Sequence, residues 1–139
     1  GPVLIDIPKD VTIARIKEPK FPEKVHMRSY NPQVIAGANS IEKAVSLITT
    51  AKQQIIYSGG GTVIGNAHNE LREFVNILGF PITQTLMGLG AFPATNELSL
   101  GMLGMHGTYE ANMAMHDSDC VIAVGARFDD RVTAALDPD

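Results

Sequence analysis

The sequence predicts an α/β fold: a doubly wound parallel sheet with helices on both faces, a Rossmann-like domain cut short at its C-terminal end. Three observations predict it. From about residue 33 onward, short apolar runs alternate with stretches whose hydrophobic residues recur at helical spacing. The strand-like runs are apolar without alternation, as strands covered on both faces require. Each of those runs ends in a loop that carries glycine and polar groups, which is where open parallel sheets place their ligands.

The elements follow in order. Val3-Leu4-Ile5-Asp6-Ile7 is short, apolar and β-branched, and reads as a strand ended by Pro8-Lys9-Asp10. Residues 12–32 hold Pro19, Pro22 and Pro32 among charges and read as a linker. Ser40 is placed to cap a helix whose Ile41, Ala44, Val45, Ile48 and Ala51 form one face. Gln54 to Ser58 is a strand, broken by Gly59-Gly60-Gly61. A second helix presents Ala67, Leu71, Phe74, Val75 and Leu78 on one face, with Gly79 at its C-terminal cap and Pro81 beyond. Ile82 to Thr85 is the next strand. A loop rich in glycine and methionine runs through Gly88, Gly90, Gly101, Gly104 and Gly107. Thr108 opens a third helix to about His116, Asp117-Ser118-Asp119 turns the chain, and Cys120 to Val124 is the last strand. Residues 129–139 begin a further helix.

Composition narrows the function. The chain has 139 residues, 45% hydrophobic and 19% charged, with a formal net charge of -4. That is ordinary globular composition, and it argues against nucleic acid or an anionic membrane as the main partner. Lys17, Lys20, Lys24 and Arg28 form only a loose basic cluster in the linker. The single cysteine, Cys120, lies in an apolar run and reads as a small buried hydrophobe, not a nucleophile. No apolar stretch reaches membrane-spanning length, and the first ten residues lack the pattern of a signal peptide.

Three motifs stand out. Ser58-Gly59-Gly60-Gly61-Thr62 lies between a strand and a helix, where glycines let backbone N–H groups approach a pyrophosphate. The dinucleotide fingerprint is not met: the third glycine falls at Gly65 rather than at position 64, and the next strand ends in Thr85 instead of an acid. A typical NAD site is disfavoured, while a pyrophosphate cradle and a ligand-free tight turn both stay open. The second motif is Gly104-Met105-His106-Gly107-Thr108. Its methionine suits a flat ring or a small methyl group, and its histidine can donate to a carbonyl or phosphate; a loop packed on a neighbouring domain is the alternative. Gly125-Ala126-Arg127-Phe128-Asp129-Asp130-Arg131 is the third. Arg127 can fork onto a carboxylate or phosphate, with the aspartates orienting the arginines or capping the next helix; a salt-bridge network is the alternative. His26, His68 and His116 have no ligand-like spacing, so no metal site is expected.

Taken together, residues 1–11, Thr85-Leu86-Met87-Gly88-Leu89-Gly90, Met102-Leu103-Gly104-Met105-His106-Gly107-Thr108 and 124–133 closely resemble the catalytic subunits of the acetohydroxyacid synthase (acetolactate synthase) family of thiamine-diphosphate enzymes. The resemblance covers nearly the whole chain, the linker least. It implies that residues 1–11 are the last strand of a pyrimidine-binding domain, 12–32 a linker, and 33–139 a central FAD-binding domain lacking its C-terminal part. By the same resemblance, Gly59, Gly60, Gly61, Thr85, Leu86, Gly104, Met105, His106, Gly107, Gly125, Ala126 and Arg127 would contact the flavin cofactor. Arg127 would engage the carboxylate of the second 2-oxoacid substrate. Met105 would pack on substrate, and Asp130 and Arg131 would line the access channel. Thiamine diphosphate and Mg2+ would be bound elsewhere in the parent enzyme, through a glutamate upstream and a Gly-Asp-Gly segment downstream. An FAD-contacting arginine would sit just ahead of Gly1. The implied activity decarboxylates pyruvate on thiamine diphosphate and joins the two-carbon unit to pyruvate or 2-oxobutanoate, toward branched-chain amino acids. A 139-residue piece would be inactive alone. The implied setting is cytoplasmic, or an organellar stroma, in a homo-oligomer with a regulatory small subunit. The alternatives are a sister thiamine enzyme of the pyruvate oxidase or glyoxylate carboligase type, and a non-catalytic nucleotide-binding module.

Overall fold

Strand β1 (Gln54–Ser58) runs through the core: Ile55 through Ser58 are all at or below 1% exposure. The computed structural model describes residues 4–26 and 32–133, and they divide into two units, 1–36 and 37–139.

In the first unit, residues 4–8 form no strand. Leu4 is 94% exposed, and a short helix, α1 (Lys9–Ile13), follows. The expected strand therefore fails over its described residues, since an apolar β-branched run becomes a strand only against a hydrogen-bonding neighbour, and these residues have none among the described residues. Val3 lies outside them.

The second unit opens with α2 (Ala38–Thr50). Ser40 does not cap it. Gly37 does, in extended backbone, its carbonyl accepting from the N–H groups of Ser40 and Ile41. The apolar face of α2 is not buried either: Ile41 and Val45 remain about half exposed. After β1 come a one-turn helix α3 (Gly60–Ile64), α4 (His68–Leu78), β2 (Ile82–Gln84), β3 (Ser99–Met102), α5 (Tyr109–His116), β4 (Cys120–Val124) and α6 (Asp130–Thr133). The glycine triplet is thus the start of a helix, not simply a break. Gly79 caps α4 with φ of 67°, and the Thr108 hydroxyl caps α5 by accepting the Ala111 N–H.

All four strands run parallel, in the order β3-β2-β1-β4. Ile56, Ile82, Leu71, Val75 and Phe92 fill one face with α4, and Tyr57, Leu103 and Ala111 fill the other with α5. The doubly wound sheet is therefore as expected, each buried Ile, Val, Leu or Phe contributing about 1.5–3 kcal/mol. Two details differ. β3 sits inside the stretch expected to be loop; it is short, lacks β-branched residues and contains Gly101 at φ of 79°, beside a register irregularity in its pairing with β2. And β4 is not covered on both faces: Val121 and Ala123 are exposed, because β4 is an edge strand. Cys120 is accordingly half-buried.

At the base of the sheet, the Asp119 carboxylate accepts from the N–H groups of Lys52 (2.8 Å) and Gln53 (2.9 Å), tying the start of β1 to the start of β4. Those two backbone donors hold its carboxyl below the usual range. A depressed folded pKa stabilises the fold above the unfolded value and loses that contribution as pH falls through the folded one. Replacing Asp119 by Ala should therefore lower the unfolding midpoint at pH 7 and flatten its decline on acidification below about pH 4. Equal acid sensitivity of variant and parent would show that the clip contributes nothing.

Candidate functional site

The strand order places a reversal between β1 and β4: the chain steps from β1 to β2 and β3 on one side, then returns to the other side with β4. In open parallel sheets the crevice beyond such strand ends receives the ligand. Here that crevice is a cleft of about 840 Å3, within the range of cofactor-sized sites.

Three loops meet at it by contact between bare α-carbons. Gly125, at φ of 59°, packs against Gly61 and Thr62, and its carbonyl accepts the Gly61 N–H at 2.8 Å. A Cβ on Gly59 would come within 2.5 Å of the Ala126 Cα, and one on Gly88 within 2.7 Å of the Ser58 carbonyl oxygen. The Thr62 hydroxyl donates to the Val124 carbonyl, and the Thr85 N–H to the Ser58 carbonyl. These glycines thus serve first to let loops touch. Within the triplet, the N–H groups of Gly59 and Gly61 are taken by β4 and its following loop. The Gly60 N–H finds no partner among the described residues. It is the donor left to face a ligand, at the end of a strand where an anion is favoured.

Most of the expected site residues line this cleft: Gly59, Gly60, Gly61, Thr85, Leu86, Met105, His106, Gly125, Ala126, Arg127 and Arg131. Three do not. Gly104 lies against the Arg131 carbonyl oxygen, 2.5 Å from where its Cβ would stand, and Gly107 against the backbone of Met102 and Leu103. They shape the Met105-His106 loop from behind. Asp130 is exposed beside the cleft and pairs weakly with Arg131, at 3.9 Å. The sequence reading missed Val63, Ile64, Met87, Met102, Leu103, Asp129 and Val132, which complete the wall. Met102 and Leu103 belong to a motif the sequence shows, but only the fold brings them beside Val63 and Ile64.

Asp129 does both things suggested for the aspartates. Its carboxylate lies 3.2 Å from the Arg127 guanidinium and accepts the Arg131 N–H at the start of α6. The Arg127 side chain is 87% exposed, so this pair contributes at most about 1 kcal/mol and leaves the cation available. The Arg131 carbonyl in turn accepts the Met105 N–H at 3.2 Å, linking the methionine loop to the arginine loop. Among the described residues no cluster of three or more His, Cys, Asp or Glu side chains could hold a metal ion.

The cleft is apolar along Leu86, Met87, Met102, Leu103 and Met105, and cationic at Arg127 and Arg131. A free amide at the glycine triplet, an apolar wall and two guanidinium groups fit a ligand with a flat ring system and anionic groups. The architecture is that of a parallel α/β domain with a cleft at its switch point.

Residues 41–139 match the model of the thiamine pyrophosphate enzyme central domain. The chain belongs to that family. It is 51% identical over 137 residues to the acetolactate synthase isozyme 3 large subunit of Escherichia coli (strain K12), covering 98% of this chain and 24% of that protein. To the acetolactate synthase large subunit of Corynebacterium glutamicum it is 49% identical, over 99% of this chain and 22% of the relative. To acetolactate synthase 2, chloroplastic, of Nicotiana tabacum it is 45% identical, over 99% and 20%. The chain thus spans between a fifth and a quarter of the length of these relatives.

Proposed function

We propose that this chain is part of an acetolactate synthase catalytic subunit and that its cleft cradles FAD. The observation that carries the reading is the switch-point cleft, with its methionine and leucine wall and rim arginines, in a chain about half identical to named acetolactate synthases. In this reading Gly60 offers its N–H to the pyrophosphate, Leu86, Met87, Met102 and Met105 flank the rings, and His106 and the arginines stand at the rim. The bound flavin supplies no net redox change to the condensation. Thiamine diphosphate with Mg2+, held by other parts of the whole protein, acts as the electron sink that decarboxylates pyruvate.

The second 2-oxoacid, pyruvate or 2-oxobutanoate, is a carboxylate, and a guanidinium binds it bidentately. We assign that role to Arg127. A second reading gives it to Arg131, favoured because Arg131 is bonded through its backbone to Met105, the residue proposed to pack on substrate, and because its own acidic partner is farther away. Asp130 and Arg131 otherwise line the approach to the cleft.

The relatives called large subunits suggest a complex with a smaller subunit, and the whole protein is proposed to work as a homo-oligomer in the cytoplasm or an organellar stroma. No helix among the described residues is long and apolar enough to cross a membrane. Product analysis tests the activity: the full-length protein carrying this chain, given pyruvate, 2-oxobutanoate, thiamine diphosphate, Mg2+ and FAD, should yield acetolactate and acetohydroxybutyrate. No product from this mixture, with acetyl phosphate formed instead when phosphate and oxygen are supplied or tartronate semialdehyde when glyoxylate is, would refute it.

A further inference from the structure

Tyr57 stands in the middle of β1, in an apolar run where strand formation asks only for bulk, and it is fully buried. Its hydroxyl leaves that interior and donates to the Arg127 carbonyl at 2.9 Å, across 70 residues of chain. Its ring meets that of Phe128, centroids 5.2 Å apart and planes at 55°. Partly buried Ala126 and Val132 pack on the same cluster of Tyr57, Leu103 and Ala111. One side chain therefore touches Arg127, in the wall of the cleft, and Phe128 beside it. Past Gly125, the Arg127 main chain makes no other hydrogen bond among the described residues. Tyr57 does not line the cleft.

We propose that Tyr57 is a positioning residue for the synthase reaction, a latch that fixes the Ala126–Asp129 wall and thereby sets where its arginine meets the acceptor 2-oxoacid. The proposal rests on the reading that an arginine of this wall binds the acceptor carboxylate. A valine or isoleucine would serve the strand equally well; only tyrosine delivers both a ring and a donor to the loop. The Asp129 end of this stretch is tied into the start of α6, but the Arg127 main chain has the Tyr57 bond alone among the described residues; losing it lets that segment drift, and small misplacements of a binding group weaken what it orients.

The test uses the full-length protein carrying this chain, with Tyr57→Phe, Arg127→Ala, Arg131→Ala and Tyr57→Phe combined with each arginine variant. Acceptor KM, kcat, FAD content and thermal midpoint are measured for each. Tyr57→Phe keeps the ring and removes one oxygen. It should raise acceptor KM by about 3- to 10-fold, with kcat and FAD content moved by less than about two-fold. Combined with the arginine substitution that itself raises acceptor KM, it should add nothing further. An unchanged KM in Tyr57→Phe beside a raised one in an arginine variant overturns the latch and leaves the arginine reading intact. Unchanged KM in Arg127→Ala overturns the reading that this wall's arginine binds the acceptor, and the latch with it. An equal fall in kcat, FAD content and thermal midpoint would make Tyr57 merely structural, which also overturns the proposal. If Tyr57→Phe fails to fold, Phe128→Leu, which removes the ring contact from the exposed side, carries the same expectation and the same contradictions.

Discussion

Replacing Gly125 by alanine is expected to abolish FAD retention by the full-length protein, with roughly 2–5 kcal/mol of local destabilisation. Two costs add. A left-handed backbone costs an L-residue about 1–2 kcal/mol, and Gly125 sits at φ of 59°. Overpacking adds about 1–3 kcal/mol, because the new methyl group would drive into the Thr62 backbone N–H and come within 2.9 Å of its hydroxyl oxygen. The clash cannot be relieved by a flexible side chain: the obstacle is the backbone of the triplet loop itself. Relief requires separating β1's loop from β4's, which opens the crevice. Gly37→Ala is the control, since Gly37 has ordinary extended backbone and an added Cβ meets nothing within 4 Å. It should stay close to neutral, with no effect on the cleft, since the poorer N-cap opposes the gain from a stiffer unfolded chain. Flavin absorbance of the purified variants, with their unfolding midpoints, checks both. Full FAD content in the Gly125 variant would mean that loop convergence does not make the site.

The second large effect is expected from the arginines. Hydrogen bonds to a charged group contribute about 1.5–3 kcal/mol each, so losing the acceptor-binding guanidinium should raise acceptor KM by roughly 10- to 100-fold. In the proposed reading, decarboxylation of the first pyruvate should be far less affected, because neither arginine is assigned to that step. Acceptor KM, measured for pyruvate and for 2-oxobutanoate, separates Arg127→Ala from Arg131→Ala, and both acceptors should weaken alike because the lost carboxylate contact is common to them. The variant that loses acceptor binding identifies the residue. If neither does, the carboxylate is held elsewhere.

Much of the frame was legible from the residues. β1, β2, α4, α5 and β4 each carry an apolar run or a helical period with a glycine, threonine or proline at the boundary, and those signals are local. The three loops around the cleft were legible for the same reason: each is a glycine-bearing strand end. What the chain did not show locally was partnership. Ser40 looks like a cap because the residues after it are periodic, yet Gly37 starts the helix three residues earlier. The apolar stripe of α2 and the run at residues 3–7 have the pattern of buried elements, but burial depends on what lies opposite, which periodicity does not encode. β3 was hidden because Ser99-Leu100-Gly101-Met102 lacks strand-forming residues and joins the sheet through its neighbour. The glycine triplet left a pyrophosphate cradle and a tight turn both open, and in the fold its glycines also make room for the loop after β4. Tyr57 was counted as one more apolar strand residue; its hydroxyl acquires a role only when the fold brings residue 127 beside it.

The claim on which the rest depends is that the switch-point cleft holds FAD. Titrating the flavin-depleted full-length protein with FAD, followed by flavin fluorescence, tests it most directly. One equivalent should bind per chain, with emission altered by enclosure among the methionines and leucines, and binding should be lost in Gly125→Ala but kept in Gly37→Ala. Synthase activity that proceeds with no flavin bound, and no change in emission on adding FAD, would contradict it.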